Sequence, residues 1–239
     1  MTPDPYAEIA AIYEIEFGDA DADVAWFERQ CTRGPTLVLG CGTGRISRVL
    51  AQDRPVTGLD LSAPMLAQAR ARDPHSRYVH GDMRTFDLGR FDQVVIPHAT
   101  FNLLPSRADQ AACLAAVRAA LNPGGALWLD LAMPDARWLA QPHTPELPAW
   151  EGWVGDALVR RTREVHRRPV AQHIALVDRY YKHDLLFATS TLNLRLIHPD
   201  QAEWMLEACG LYAEALYGDY AGRPLHEDCP RLLVKAGVL

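Results

Sequence analysis

From residue 37 to residue 130 the chain alternates short apolar runs with stretches of helical periodicity, and that alternation leaves few folds open. Leu37-Val38-Leu39 runs straight into Gly40-Cys41-Gly42-Thr43-Gly44, after which Ile46, Val49 and Leu50 recur at helical spacing. Val56 to Asp60 is a second short apolar run. Ser62 then reads as an N-cap with Pro64 in the first turn, and Met65, Leu66 and Ala69 supply one apolar helix face. Two more runs end at Gly81-Asp82-Met83 and at Pro97-His98. Strands that alternate with helices build a parallel sheet covered on both faces, and such sheets take ligands at the carboxyl ends of their strands.

Gly40, Gly42, Gly44, Asp60, Asp82 and His98 all fall at such ends. Glycine at every second position predicts a small molecule lying against bare backbone, because glycine reaches positive φ and carries no Cβ. Asp60 lies about twenty residues past the first glycine, where a nucleotide site places a carboxylate for ribose hydroxyls. Each acid alone could equally be a loop residue or a helix cap; their shared placement argues for a site.

The order of these motifs resembles that of class I S-adenosylmethionine-dependent methyltransferases, in their small-molecule branch. The glycine loop, Gly58-Leu59-Asp60, Leu61-Ser62-Ala63-Pro64-Met65-Leu66, Gly81-Asp82-Met83 and Leu121-Asn122-Pro123-Gly124-Gly125 carry the resemblance. It implies an α/β fold with a Rossmann-like, doubly wound, mostly parallel seven-stranded sheet ending in an antiparallel strand. It also implies S-adenosyl-L-methionine as cofactor. Gly40, Cys41, Gly42 and Gly44 would face its methionine portion and ribose, and Asp60 would accept from both ribose hydroxyls. Leu61 and Met65 would give the adenine an apolar face, Asp82 would accept its amino group, and Met83 would offer a backbone N–H. Tyr13, in an N-terminal helix, would close over the cofactor or be part of the core.

One departure stands out. Where the family carries an acid associated with the cofactor's amino group, two residues before the first loop glycine, this chain has Val38. That loss keeps a non-catalytic S-adenosylmethionine-binding protein among the alternatives. An NAD(P)-dependent oxidoreductase is the other, but its fingerprint needs a third glycine three residues after the second, and that position is Arg45. An aminopropyltransferase would carry an acidic loop after the fourth strand, in place of Pro97-His98-Ala99-Thr100.

His98, near where the methyl group would sit, is the candidate general base, with a loop-bound or pocket-lining histidine as the plain alternative. Asn102 is a candidate for orienting substrate or for capping the segment before Pro105, and Phe101 for lining the pocket. The acceptor is expected to be a small molecule methylated on N or O. A net charge of −6 argues against nucleic acid as partner. The absence of a bilayer-length apolar run argues against a membrane, and the polar start and five scattered cysteines suggest the cytoplasm. His226-Glu227-Asp228-Cys229 has ligand types but no distant partner, so no metal is expected.

The expected organisation is a helical cover over 1–35, the cofactor-binding core over 36–133, a linker with an antiparallel β insertion over 134–197, and a C-terminal helix with closing hairpin over 198–239. Within the insertion, the Pro-rich stretch 134–148 reads as a connection, and 157–165, 170–183 and 186–197 as three strands that form a substrate lid or a homodimer interface. Arg160, Arg161, Arg163, Arg167 and Arg168 gather there, either as a solvated, charge-protected edge or for an anionic substrate or partner. Tyr220, Arg223 and His226, in the excursion 218–230, are further candidates for touching substrate.

Overall fold

Apolar runs buried on both faces decide the centre of the molecule. In the computed structural model, which describes residues 4–17, 21–134 and 139–239, the alternating region supplies five parallel strands. These are β1 (Thr36–Leu39), β2 (Val56–Asp60), β3 (Arg77–His80), β4 (Phe91–Ile96) and β5 (Leu121–Ala132). Leu37 and Leu39 point to one face and Val38 to the other, as the two-residue strand period requires. On the first face Leu114 and Val117 of α5 (Arg107–Ala120) and Leu206 of α6 (Pro199–Ala208) complete the core. On the second, Trp26 and Phe27 of α2 (Asp21–Gln30), Ile46 and Leu50 of α3 (Arg45–Leu50), and Leu66 of α4 (Ala63–Arg72) do so.

The chain closes the sheet with β10 (Leu211–Tyr217) and β11 (Arg231–Val238), giving the strand order β10-β11-β5-β4-β1-β2-β3. β11 runs antiparallel to both its neighbours, so the expected seven-stranded fold class is borne out. Winding reverses at β1, and the glycine loop that follows it therefore opens at the switch point. The Ser62 hydroxyl caps α4 by accepting from the Met65 N–H at 3.3 Å.

A separate antiparallel sheet has four strands, not three: β6 (His143–Val154), β7 (Ala157–Arg168), β8 (His173–Lys182) and β9 (Leu185–Arg195), in that order. β6 is hidden in the sequence because it begins inside the Pro-rich stretch expected to be a connection. It is an edge strand whose prolines, Pro145 and Pro148, fall at its two register shifts, where no ladder N–H is required. His183 and Asp184 both have positive φ and turn β8 into β9 by a type I′ hairpin.

The arginines of β7 do not form a solvated edge, since β7 lies between β6 and β8. Arg161 is buried against Glu16 at 2.8 Å and Asp178 at 3.2 Å, and Arg163 reaches Asp178 at 2.7 Å. Arg167 is buried and donates to the Gln141 carbonyl at 3.0 Å. Arg160, on the other face, pairs with Asp184.

The inner face of this sheet meets the N-terminal helix α1 (Ala10–Phe17) and the main domain through two apolar clusters. Val159, Tyr180 and Ala188 pack on Ile9 and Ile12, while Val165, Ile174 and Leu176 pack with Leu196. Between the clusters runs a polar band of buried Arg161, Asp178 and Ser190, joined by the half-buried Arg163 through Asp178.

Candidate active site

The glycine loop is shaped by two different needs. A Cβ on Gly40 would stand 2.1 Å from Thr100 and one on Gly44 2.5 Å from the Tyr78 hydroxyl, so packing within the protein requires both glycines. On Gly42 it would meet only the Met65 side chain, at 3.5 Å, and there the positive φ of 56° is the constraint. Gly42 is thus the loop position that leaves room for a ligand.

Its N–H donates to Asp60 Oδ2 at 2.7 Å, while Asp60 Oδ1 accepts from the Ser62 N–H at 2.8 Å. These bonds aim the carboxylate at the loop and leave further lone pairs for a ligand. Burial pushes the pKa of Asp60 up, and the two N–H groups oppose that shift.

Not every predicted residue joins this arrangement. Cys41 turns inward: its side chain is buried beneath Gly58, burial raises its thiol pKa, and only its backbone belongs to the loop surface. Met65 is buried under the loop, Leu61 is exposed, and Met83 is half-buried against the core. Asp82 is held by Arg84 through contacts of 2.6 to 3.0 Å, and Arg84 goes on to Asp109 at 2.5 Å. The adjacent guanidinium lowers the pKa of Asp82 and occupies most of its acceptor capacity.

Val38 lies fully buried in the cluster with Trp26, Phe27 and Cys41, an apolar setting in which a carboxylate would be unpaired. A different acid reaches the loop. Glu14 of α1 accepts from the Thr43 hydroxyl at 2.5 Å and pairs with Arg48 of α3.

Aromatic rings cover the cleft. Tyr6, Tyr13 and Phe17 follow one another at centroid distances of 6.0 and 4.7 Å, and the Phe17 ring meets the His98 imidazole edge-on at 5.9 Å. Burial pushes the Tyr13 hydroxyl up to about 12, and Asp60 adds to that shift. The Arg161 guanidinium also lies over this Phe17 ring, 5.7 Å from its centroid.

At the carboxyl ends of β4 and β5, His98 is legible in the sequence but its partners are not. Asp130, fully buried in β5, accepts from the backbone N–H of His98 at 2.7 Å and from the Tyr220 hydroxyl at 2.8 Å. Arg231, the first residue of β11, pairs with its other oxygen and stacks on Tyr220 at 5.6 Å. One signal was available: a lone acid inside the apolar run Leu127-Trp128-Leu129-Asp130-Leu131. Arg231 had none, because its contact spans about a hundred residues.

His98 and Ala99 both take positive φ, turning the imidazole out of the strand end. The ring remains accessible. Surrounding protein, and then the Arg231 charge, depress its pKa below the ordinary histidine value, so it is neutral near pH 7.

Asn102 does not face this cleft. It is fully buried, donates to the Arg195 carbonyl at 2.8 Å and accepts from the Ala132 N–H at 3.1 Å, which ties β5 to β9. Phe101 is a core residue. In the excursion Tyr220 reaches the site, whereas Arg223 folds back onto Asp219. A cavity of about 590 Å³ lined by Arg90, Arg118 and Asn122 lies at the opposite, amino ends of β4 and β5.

A methyltransferase domain family matches residues 37–125. The dTDP-3-amino-3,6-dideoxy-alpha-D-glucopyranose N,N-dimethyltransferase of Streptomyces fradiae is 31% identical over 93% of this chain and 91% of its own length. The chain belongs to the S-adenosylmethionine-dependent methyltransferases.

The methyltransferase is also 27% identical to CalS10, an amino pentose methyltransferase of Micromonospora echinaspora solved with S-adenosylmethionine bound, with a TM-score of 0.71 and coverage of 92% and 91%. The CcbJ methyltransferase of Streptomyces caelestis shares its fold over 99% of both chains, at a TM-score of 0.85 and 23% identity. Its cofactor is therefore S-adenosyl-L-methionine and its reaction methyl transfer. Among the described residues, no helix is long and apolar enough to cross a membrane.

Proposed function

We propose that this methyltransferase methylates the amino group of a small, hydroxyl-rich acceptor of the amino-sugar type. The observation that carries the reading is the accessible imidazole of His98 at the end of β4, whose backbone N–H is fixed by Asp130 at 2.7 Å and whose ring meets Phe17, the ring over which the Arg161 guanidinium also lies. Two relatives point the same way, the Streptomyces fradiae enzyme and a dTDP-3-amino-3,4,6-trideoxy-alpha-D-glucopyranose N,N-dimethyltransferase of Streptomyces venezuelae that is 30% identical over 81% of this chain.

The cofactor supplies a methyl group on a positively charged sulfur. The open side of Gly42 and the free lone pairs of Asp60 fit its ribose, and the aromatic chain from Tyr6 to Phe17 keeps water from the cleft. Glu14 stands in for the acid missing at Val38, since its carboxylate reaches the glycine loop from the N-terminal cover. Residues 4–17 would thus serve as a cover whose carboxylates face both cofactor and acceptor.

At the acceptor, a new carbon–nitrogen bond needs the nitrogen lone pair, so the amine must arrive without its extra proton. His98 takes the proton that the nitrogen releases. The Arg231 charge that depresses His98 also favours the unprotonated form of a nearby amine. The band of Arg161, Arg163, Asp178 and Glu16 offers alternating donors and acceptors to acceptor hydroxyls.

Assay with methyl-labelled cofactor and a matched pair of acceptors, amino sugar nucleotide and its hydroxyl analogue, is expected to label only the amine. Equal labelling of the hydroxyl analogue would sink the reading. His98→Ala is expected to lower kcat by about a hundredfold or more and to abolish the acidic limb of its pH profile. In the unaltered enzyme that limb falls below the ordinary histidine pKa, because the depressed imidazole keeps its lone pair to lower pH. An unchanged profile in His98→Ala would remove the base assignment.

The proposal extends to a homodimer through the insertion. Trp153, Leu185, Leu186 and Phe187 are exposed at the end of the sheet where β6 finishes and β9 begins. Sedimentation should show a dimer that Trp153→Arg dissociates; a monomeric parent protein would exclude it. The five free cysteines suit a reducing cytoplasm.

A further inference from the structure

We propose that His143, Glu164 and His166 form a divalent transition-metal site, taking zinc, on the outer face of the insertion sheet. His143 of β6 and His166 of β7 are directly opposed across the ladder, with ring centroids 4.9 Å apart. Glu164 stands two residues before His166 and so projects from the same face. The three side chains converge on one point. Nε2 of His143 lies 3.1 Å, and Nε2 of His166 2.9 Å, from the same oxygen, Glu164 Oε1, and all three donor atoms lie within 4.8 Å of one another.

Tetrahedral zinc, with bonds of about 2.0–2.2 Å to imidazole nitrogen and carboxylate oxygen, sets its ligand atoms roughly 3.3 Å apart. Each imidazole nitrogen would move a few tenths of an ångström away from the Glu164 oxygen to admit the ion, while the two nitrogens, within 4.8 Å of each other, would settle at that spacing. Two imidazoles and one carboxylate suit zinc, nickel or copper and disfavour magnesium and calcium, which take all-oxygen shells. The fourth position would belong to water, since both histidines are exposed.

The surrounding groups are arranged as an outer shell. The second Glu164 oxygen accepts from Arg179 at 3.0 Å, which leaves Oε1 for the ion. Arg179 is held in turn by Glu146 at 2.9 Å, and Glu146 accepts from Thr162 and Tyr181 at 2.6 and 3.0 Å. Such bonds fix the orientation of a ligating carboxylate. The ion would cross-link β6, the strand with two register shifts and two prolines, to the interior strand β7. Its role is that of a clasp on the edge of the insertion, apart from the methyl-transfer cleft.

The test uses the untagged full chain, titrated with cobalt(II) while the visible band of tetrahedral cobalt is followed, then with zinc to displace it. One equivalent is expected to bind saturably, with zinc raising the unfolding temperature. His143→Ala and His166→Ala should each weaken binding by more than about tenfold, since even loss of an outer-shell partner costs that much. Both positions are exposed, so S-adenosylmethionine binding should be unchanged in these variants and reports that they fold. Absence of saturable binding, or binding as tight in both variants as in the parent, overturns the site.

Discussion

Asp60→Ala is expected to weaken S-adenosylmethionine binding by roughly a hundredfold or more. Each hydrogen bond to an ionised carboxylate contributes about 1.5–3 kcal/mol, and the ribose offers two hydroxyls. The variant also releases the Gly42 and Ser62 N–H groups that Asp60 holds at 2.7 and 2.8 Å, so the loop loses its anchor together with the ligand. Calorimetry is the direct measurement, and near-parental affinity would refute the role of Asp60. The pH dependence has a defined sign. Because burial raises the carboxyl pKa, cofactor affinity should begin to fall at a higher pH than an ordinary aspartate would give.

Asp130→Ala should be the most damaging single change to the fold near the site. It leaves the Arg231 guanidinium without its partner and frees the Tyr220 hydroxyl and the His98 N–H at the same time. Burial alone would pull the Arg231 pKa down, but the Asp130 carboxylate outweighs it and keeps the guanidinium charged. Breaking a buried pair from one side costs about 3–5 kcal/mol, whereas replacing both partners by apolar residues is often close to neutral. Urea denaturation should therefore show a large fall in midpoint for Asp130→Ala and substantial recovery in Asp130→Leu with Arg231→Met. Methyl transfer should stay low in both, because the support of His98 and Tyr220 is absent from each. A loss below about 1 kcal/mol in the single variant would mean that solvent screens the pair as it does on a surface.

How much of the site could be read in advance depended on whether its parts are contiguous. Gly42 and Asp60 follow from local patterns, a glycine turn after one apolar run and an acid at the end of the next. His98 was legible as a strand-end histidine, but its pKa depression was not, since the Arg231 charge comes from the last strand. Asn102 misled because a polar residue next to a strand end looks alike whether it faces a cleft or, as here, satisfies two buried backbone groups. At Asp82 the nearby Arg84 is visible in the sequence, but its orientation onto the carboxylate is not. In the insertion, the alternation of β7 showed that Arg161 and Arg163 share a face. It could not show that this face turns inward to meet Glu16 and Asp178.

The sequence by itself determined the parallel core, the position of the glycine loop at the switch point and the carboxylate that answers it. These depend on hydrophobic period, backbone freedom and short separations, which are local properties of a chain. Tertiary structure alone decided what surrounds the reacting centre. It joined Asp130, Tyr220 and Arg231 around His98, brought Glu14 to a loop whose own strand carries Val38, and set His143 against His166 across a ladder that begins in a proline-rich stretch. Those contacts depend on register and on which face of an element is covered, and neither is fixed until distant segments pack.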